Sequence, residues 1–201
     1  MAKPIWLNVS PSKGSGNGII SNSSTAHTGR LLREGIVTVT GSGVTTPATY
    51  NVIQTPLAEF VAFDNGAEMA VTKDGGKVII TGKSNSESLL FAWVGSSDVD
   101  LPTNYTAAGK VTVNGNAIEG DPGAVSQYEY NIEITLPANN DVDEVTRTLK
   151  VTANGGQSAQ IAIKQSAGDA YLYVSPTKIT IPQDGSAVSV EVTSNTDWSV
   201  S

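Results

Sequence analysis

Cysteine is absent from this chain, and histidine occurs once, at His27. The first absence removes disulfides, thiolate nucleophiles and cysteine-ligated metals, and is neutral about compartment. The second leaves one imidazole for base chemistry, in the polar stretch Asn22–Gly29 beside Ser23 and Ser24. A catalytic triad there would still need a third, fixed partner, and a solvated loop histidine is the simpler reading. Long apolar runs are missing too. No segment approaches the ~20 apolar residues of a membrane-spanning helix, and MAKPIWLNVSP carries no apolar core of an export signal. The expectation is a soluble protein made in the cytoplasm. A block of one charge sign is also lacking. Twelve Lys and Arg face nineteen Asp and Glu, for a net charge of −7 spread along the chain, which argues against nucleic acid or an anionic membrane as partner.

What is present is period-2 alternation. Tyr128, Tyr130, Ile132, Ile134 and Leu136 alternate with polar residues, as expected of a strand with one buried face. Val111-x-Val113, Ile161-x-Ile163 and Val188-x-Val190-x-Val192 read the same way, and turn clusters such as Asp74-Gly75-Gly76, Asn114-Gly115-Asn116 and Asn154-Gly155-Gly156 separate them. No stretch shows a capped 3.6-residue period. The fold class is therefore all-β, and 201 residues suffice for two small sandwiches.

The chain also repeats itself. At an offset of 110, Asp74–Asn85 (DGGKVIITGKSN) falls on Asp184–Asn195 (DGSAVSVEVTSN), and Val61, Phe63, Met69 and Val71 fall opposite Tyr171, Tyr173, Ile179 and Ile181. Tyr50, Val52 and Gln54 fall on Ile161, Ile163 and Gln165, and Val37 and Val39 on Leu149 and Val151. Three segments result. Residues 60–168 form a complete middle domain, 1–54 the closing part of a second domain, and 171–201 its opening strands, joined by linkers Thr55–Glu59 and Ser166–Ala170. Joined tail to head, the outer segments make one domain cut between Trp198 and Trp6. The tail carries too few apolar side chains to offset the ordering of its own backbone, so it is expected to fold only on a partner edge, by strand complementation. The residues expected to close the cut are Trp6 and Val9 on the head and Val188, Val190, Val192 and Trp198 on the tail.

Asn195-x-x-Trp198, Trp6-Leu7-x-Val9-x-Pro11, the turn Gly14-Ser15-Gly16-Asn17-Gly18, Arg33-x-Gly35-x-Val37-x-Val39 and Gln54 together resemble the BACON domain, an immunoglobulin-like module named as Bacteroidetes-associated, carbohydrate-binding and often N-terminal. The middle domain keeps Asn85, Arg147 and Gln165 of these marks and adds residues between about Ser96 and Gln127. The resemblance implies two immunoglobulin-like β-sandwiches, one of them assembled from the two outer segments.

Candidate chemistry is sparse. Asp98/Asp100, Glu119/Asp121 and Asp141/Asp143/Glu144 could offer oxygen ligands to Ca²⁺, but no EF-hand loop accompanies them and solvated acidic turns are the plainer reading. Trp6, Trp93 and Trp198, with Tyr171 and Tyr173, could stack on a sugar, although strand patterns place them in a core or at a strand edge. The Gly14–Gly18 run lacks the Lys-Ser/Thr and helix of a phosphate loop. Arg30 and Arg33 are read as internal ion-pair or backbone contacts. No cofactor, metal or catalytic residue is assigned.

BACON-like modules without an export signal resemble structural proteins of crAss-like phages. The functional expectation is accordingly a non-enzymatic virion component, an auxiliary or decoration protein bound to the major capsid protein or other virion subunits. Copies of the chain itself are further candidate partners, by strand exchange, and Ser96–Gln127 is the expected partner-specific loop. The alternative is a carbohydrate-binding adhesion module with a glycan ligand. Two closures of the cut domain stay open. One joins head and tail within a chain, favoured by effective concentration; the other links each tail to the next subunit's head.

Overall fold

The computed structural model describes residues 3–201; Met1 and Ala2, the start of the 1–54 segment, lie outside the described residues. The architecture is all-β, with no helix among the described residues and no closed barrel. The head folds as two antiparallel hairpins. β1 (Leu7–Ser10) pairs with β2 (Ser21–Ser24), and β3 (Arg33–Val39) pairs with β4 (Ala48–Gln54) from Arg33↔Gln54 to Val39↔Ala48. Little is buried there beyond Leu7, Gly35 and Val37.

The middle segment holds nine strands: β5 (Val61–Phe63), β6 (Glu68–Val71), β7 (Gly76–Ser84), β8 (Leu89–Trp93), β9 (Asn104–Ala107), β10 (Lys110–Val113), β11 (Tyr128–Leu136), β12 (Val145–Ala153) and β13 (Ser158–Gln165). They form a five-stranded sheet, β10-β9-β11-β7-β5, and a four-stranded sheet, β6-β13-β12-β8. The two pack as a sandwich-like pair around Ile80, Leu89, Ile132, Ile134, Leu149, Val151, Ile161 and Ile163, all fully buried. Alternation explains this core directly. In β11 every second residue is buried, and register with β7 aligns Ile132 with Ile80 and Ile134 with Val78. At the centre, Phe91 meets Tyr105 and Tyr130 edge-on, at ring separations of 4.9 and 5.6 Å, the arrangement favoured by aromatic quadrupoles. The Tyr130 hydroxyl donates to the Ala62 carbonyl at 2.8 Å. This close approach requires glycine at 82, because a Cβ there would collide with both Ala62 O and the Tyr130 ring.

The segment Ser96–Gln127, expected as a free loop, is largely built into the sandwich. It contributes the β9–β10 hairpin, β9 pairs with β11 through Ala107↔Tyr130, and Val99, Tyr105, Ala107 and Ile118 enter the core. Tyr105 and Ala107 sit two apart on the inward face of a four-residue strand, too short a pattern to stand out from a turn-rich stretch.

The tail adds one hairpin, β14 (Leu172–Ser175) with β15 (Glu191–Ser194). Its pairing reproduces that of β5 with β7. Leu172↔Ser194 and Val174↔Val192 match Val61↔Ser84 and Phe63↔Gly82. This corrects the sequence alignment by one residue. Leu172 and Val174, not Tyr171 and Tyr173, occupy the places of Val61 and Phe63, and a one-residue slip moves every side chain to the other face. Tyr171 and Tyr173 instead stack on each other, 5.7 Å apart. The expected strand Val188-x-Val190-x-Val192 also shortens to Glu191–Ser194, whereas β7 runs nine residues. β7 has β11 along its second edge, and among the described residues the tail has no such partner.

Head and tail lie at opposite ends of the middle sandwich. The head is held near the end of β7, where Arg30 bonds the Asn85 carbonyl and Asp121. The tail is held near its beginning, where Lys73 pairs with Asp169 and the Asn195 amide reaches Asn140 O at 3.0 Å. Nine extended residues span about 27 Å between these poles.

Candidate interaction site

The site grows from strand edges left without partners. In the middle segment β13 is flanked on both sides, by β12 antiparallel and by β6 parallel. In the head, β4 has β3 on one side only. Between the two head hairpins lies an open groove of about 480 Å³, lined among others by Val9, Gly14, Ile20, Val37 and Val39. Leu149 and Val151, the counterparts of Val37 and Val39, are fully covered by the opposing sheet; Val39 is 40% exposed. The groove thus leaves Val39 open to solvent at a position covered in the middle sandwich, while Val37 is buried as its counterpart is. The Gly14–Gly18 turn forms its rim, as a turn and with no phosphate-binding helix behind it.

The tail carries apolar side chains that match a wall of the middle sandwich. Val188 and Val190 are 41% and 38% exposed, whereas their counterparts Val78 and Ile80 are buried. Val192 is half-buried and Trp198 exposed. On the head, Trp6 is half-buried under the Arg33 guanidinium, 4.7 Å from its ring centroid, and Val9 faces the groove. The structure therefore places Trp6 and Val9 together at one pole and Val188, Val190, Val192 and Trp198 together at the other. Among the described residues no strand of the head pairs with a strand of the tail.

Two polar knots mark the repeat in three dimensions. Asn85 Oδ1 accepts from the Phe60 amide at 2.8 Å, and its Nδ2 donates to Ala58 O at 3.2 Å and Ala124 O at 2.8 Å. Asn195 does the same in the tail, accepting from Tyr171 N and donating to Asp169 O, both at 2.9 Å. The second knot is a glutamine. Fully buried Gln165 accepts from Arg147 Nη1 at 2.8 Å and donates to Pro137 O at 2.7 Å and Lys73 O at 3.2 Å. Gln54 in the head accepts from Arg33 Nε at 2.9 Å and donates to Thr25 O at 2.9 Å. The two arginines reach their glutamines from different registers, since Arg33 lies directly opposite Gln54 while Arg147 lies opposite Ile163. The sequence marks these residues as repeat signatures; their shared carbonyl contacts need the folded chain.

Several titratable groups are engaged structurally. His27 Nε2 donates to Leu31 O at 2.6 Å and its Nδ1 accepts from the Gly29 amide, so the ring braces its own loop. Asp98 holds Arg147 in a two-pronged pair at 2.7 Å, and that hydrogen bond draws the Asp98 carboxyl below the usual range. Asp121 is lowered in the same way by Arg30. Glu59, unmarked by the sequence reading, is buried, accepts from the Gly155 amide at 2.9 Å and lies 3.6 Å from Arg30. Among the described residues no three His, Asp or Glu side chains cluster as a metal site would require. Trp93 donates its indole N–H to Val99 O at 2.6 Å and packs against the core. Trp198 stays exposed, in contrast to the core or strand-edge place expected for it.

No family model and no curated protein matches the chain. Among solved structures, the chain is similar to a Bacteroides ovatus GH5 xyloglucanase in complex with a XXXG heptasaccharide, at 18% identity and a TM-score of 0.35, covering 58% of this chain and 20% of that one. It is also similar to an endo-fucoidan hydrolase from glycoside hydrolase family 107, at 12% identity and a TM-score of 0.27, covering 85% of this chain and 27% of that one. The chain thus spans about a quarter or less of those proteins. The likeness is a distant one between β-rich folds and assigns no family.

Proposed function

We propose that this chain is a non-enzymatic structural protein that works by strand addition, through immunoglobulin-like sandwiches of which one is assembled from residues 1–54 and 171–201. The observation that carries this reading is the pair of half-sandwiches, each with an uncovered apolar face and a free strand edge that has a filled counterpart in the middle segment. Such edges bind other chains through backbone hydrogen bonds, with apolar side chains setting register. The commitment of Arg30, Arg147, Asp98, Asp121 and His27 to structural bonds fits a binding role more simply than a catalytic one. The resemblance to BACON-type modules of crAss-like phages suggests the setting, a virion shell, where the chain acts as an auxiliary or decoration protein on the major capsid protein after synthesis in the host cytoplasm. The test is co-sedimentation with purified crAss-like phage shells. Saturable binding that weakens on Ile36→Asp, at an exposed head position, supports the reading; free protein at all shell concentrations overturns the decoration role.

A second reading, a glycan-binding adhesion module, is favoured by one feature. A cleft of about 480 Å³ at the junction of tail and middle segment brings Tyr171 beside Lys73, Asp74, Asn140 and Asp169, a combination of aromatic face and polar groups that suits a sugar. Glycan-array binding lost on Tyr171→Ala would establish it, and no binding at millimolar sugar would remove it.

A further inference from the structure

We infer that the occupant of the head's open edge is the tail of a second copy of this chain, so that copies join head to tail in register. The inference rests on the strand-addition reading above and names its partner. Distance favours a second copy. The head sits at the Asn85 end of the middle sandwich and the tail at its Lys73 end, about 27 Å apart along β7. A tail so placed faces away from its own head.

The chain also contains a template for the pairing. β6 lies parallel to β13 with Met69 opposite Ile163 and Val71 opposite Gln165. The repeat carries this pairing onto Lys178–Ile181 beside β4, with Ile179 opposite Val52 and Ile181 opposite Gln54. Ile179 and Ile181 are 38% and 62% exposed and belong to no strand, and β4 is free on that side. Gln54 supplies an independent mark. Gln165 donates to two carbonyls, Pro137 O and Lys73 O; Gln54 donates to the counterpart of the first, Thr25 O. The counterpart of the second is Gln183 O, which lies in the tail. Docking of a second copy's tail would complete that bond.

Charge agrees with geometry. The head carries Lys3, Lys13, Arg30 and Arg33 against Glu34 alone, and the tail carries Asp184, Glu191 and Asp197 against Lys178 alone. Arg30 is already paired, and the remainder still leaves a basic head for an acidic tail, which steers encounter and favours head-to-tail over head-to-head contact. Each junction uses different surfaces on the two copies, so the assembly is open and extends by addition.

The absence of cysteine makes the register directly testable in the full chain. Ile53 and Thr180, outward-facing and exposed, become neighbours in the inferred pairing. Ile53→Cys protein mixed with Thr180→Cys protein should form a mixed disulfide dimer on oxidation, faster than Thr180→Cys mixed with Val111→Cys, a control at an exposed site on β10. The I53C/T180C double variant should then give a ladder of covalent oligomers. A disulfide formed only within single double-variant chains overturns the second-copy inference and leaves strand addition standing. No linkage above the control, by either route, overturns both. As a separate measurement, sedimentation equilibrium should show concentration-dependent association, and Ile179→Asp should raise the dissociation constant at least about tenfold, the equivalent of about 1.4 kcal/mol. An unchanged constant would also overturn the inference.

Discussion

Replacing Gln165 by methionine, which keeps length and removes the amide, should be among the most damaging single changes in the middle sandwich. Gln165 is fully buried, and its side chain joins three groups, Arg147 Nη1 and the carbonyls of Pro137 and Lys73. A hydrogen bond to a charged donor contributes about 1.5–3 kcal/mol and one between neutral groups about 0.5–1.5, so the three together amount to roughly 2.5–6 kcal/mol. The upper part applies because Arg147 is itself buried and water cannot replace the lost acceptor. Gln54→Met provides the internal control. Gln54 is half-buried and its bond to Thr25 O is exposed, so water substitutes readily and the same change should cost under about 1 kcal/mol in dilute monomer. Urea unfolding followed by circular dichroism measures the first, and hydrogen exchange of β3–β4 amides measures the second. Equal costs at the two positions, or a loss under about 1 kcal/mol at Gln165, would refute the reasoning, because burial would then not separate the two glutamines. With a second copy's tail docked as inferred, the Gln54 change should grow more costly in concentrated protein.

Three further outcomes follow from the same geometry. Ile80→Ala should cost about 2–5 kcal/mol in unfolding free energy, while Val190→Ala, at its exposed counterpart, should cost less than about 1 in dilute solution; similar values would contradict the open state of the tail. Gly82→Ala should separate β5 from β7 by driving a methyl into Ala62 O and Tyr130, read as lost protection of the Asp64 amide, which bonds Thr81 O at 3.0 Å; a retained exchange rate would count against the packing described. The carboxyls of Asp98 and Asp121 are both held low, chiefly by their arginine hydrogen bonds, so their stabilisation is present above the ordinary carboxylate pKa of about 3.9 and fades as pH falls through their lower folded values. Asp121→Asn should flatten the acid limb of thermal stability and loosen the head around Arg30, and an unchanged limb with unchanged exchange of Leu57 N–H, which bonds Gly29 O, would exclude that role.

The period-2 strands, the glycine turns and the all-β class were legible in the residues, because alternation and repetition are local properties of a chain. Asn85/Asn195 and Gln54/Gln165 were visible as matching letters for the same reason. Their carbonyl contacts were not, since these join strands far apart in sequence. The placement of Leu172 and Val174 at the positions of Val61 and Phe63 depended on pairing with β15, because apolar residues lie on both faces of LYV and only hydrogen-bond register selects between them. The enrolment of Tyr105 and Ala107 in the core depended on β11 being beside them. The separation of head and tail to opposite poles was decided by the length of β7 and by the anchors at Asn85 and Asn140, a property of the assembled sandwich alone. Sequence by itself determined the alternating strands and the letters of the repeat; tertiary structure decided that, among the described residues, no strand of the head pairs with a strand of the tail, because β7, about 27 Å long, separates their anchors.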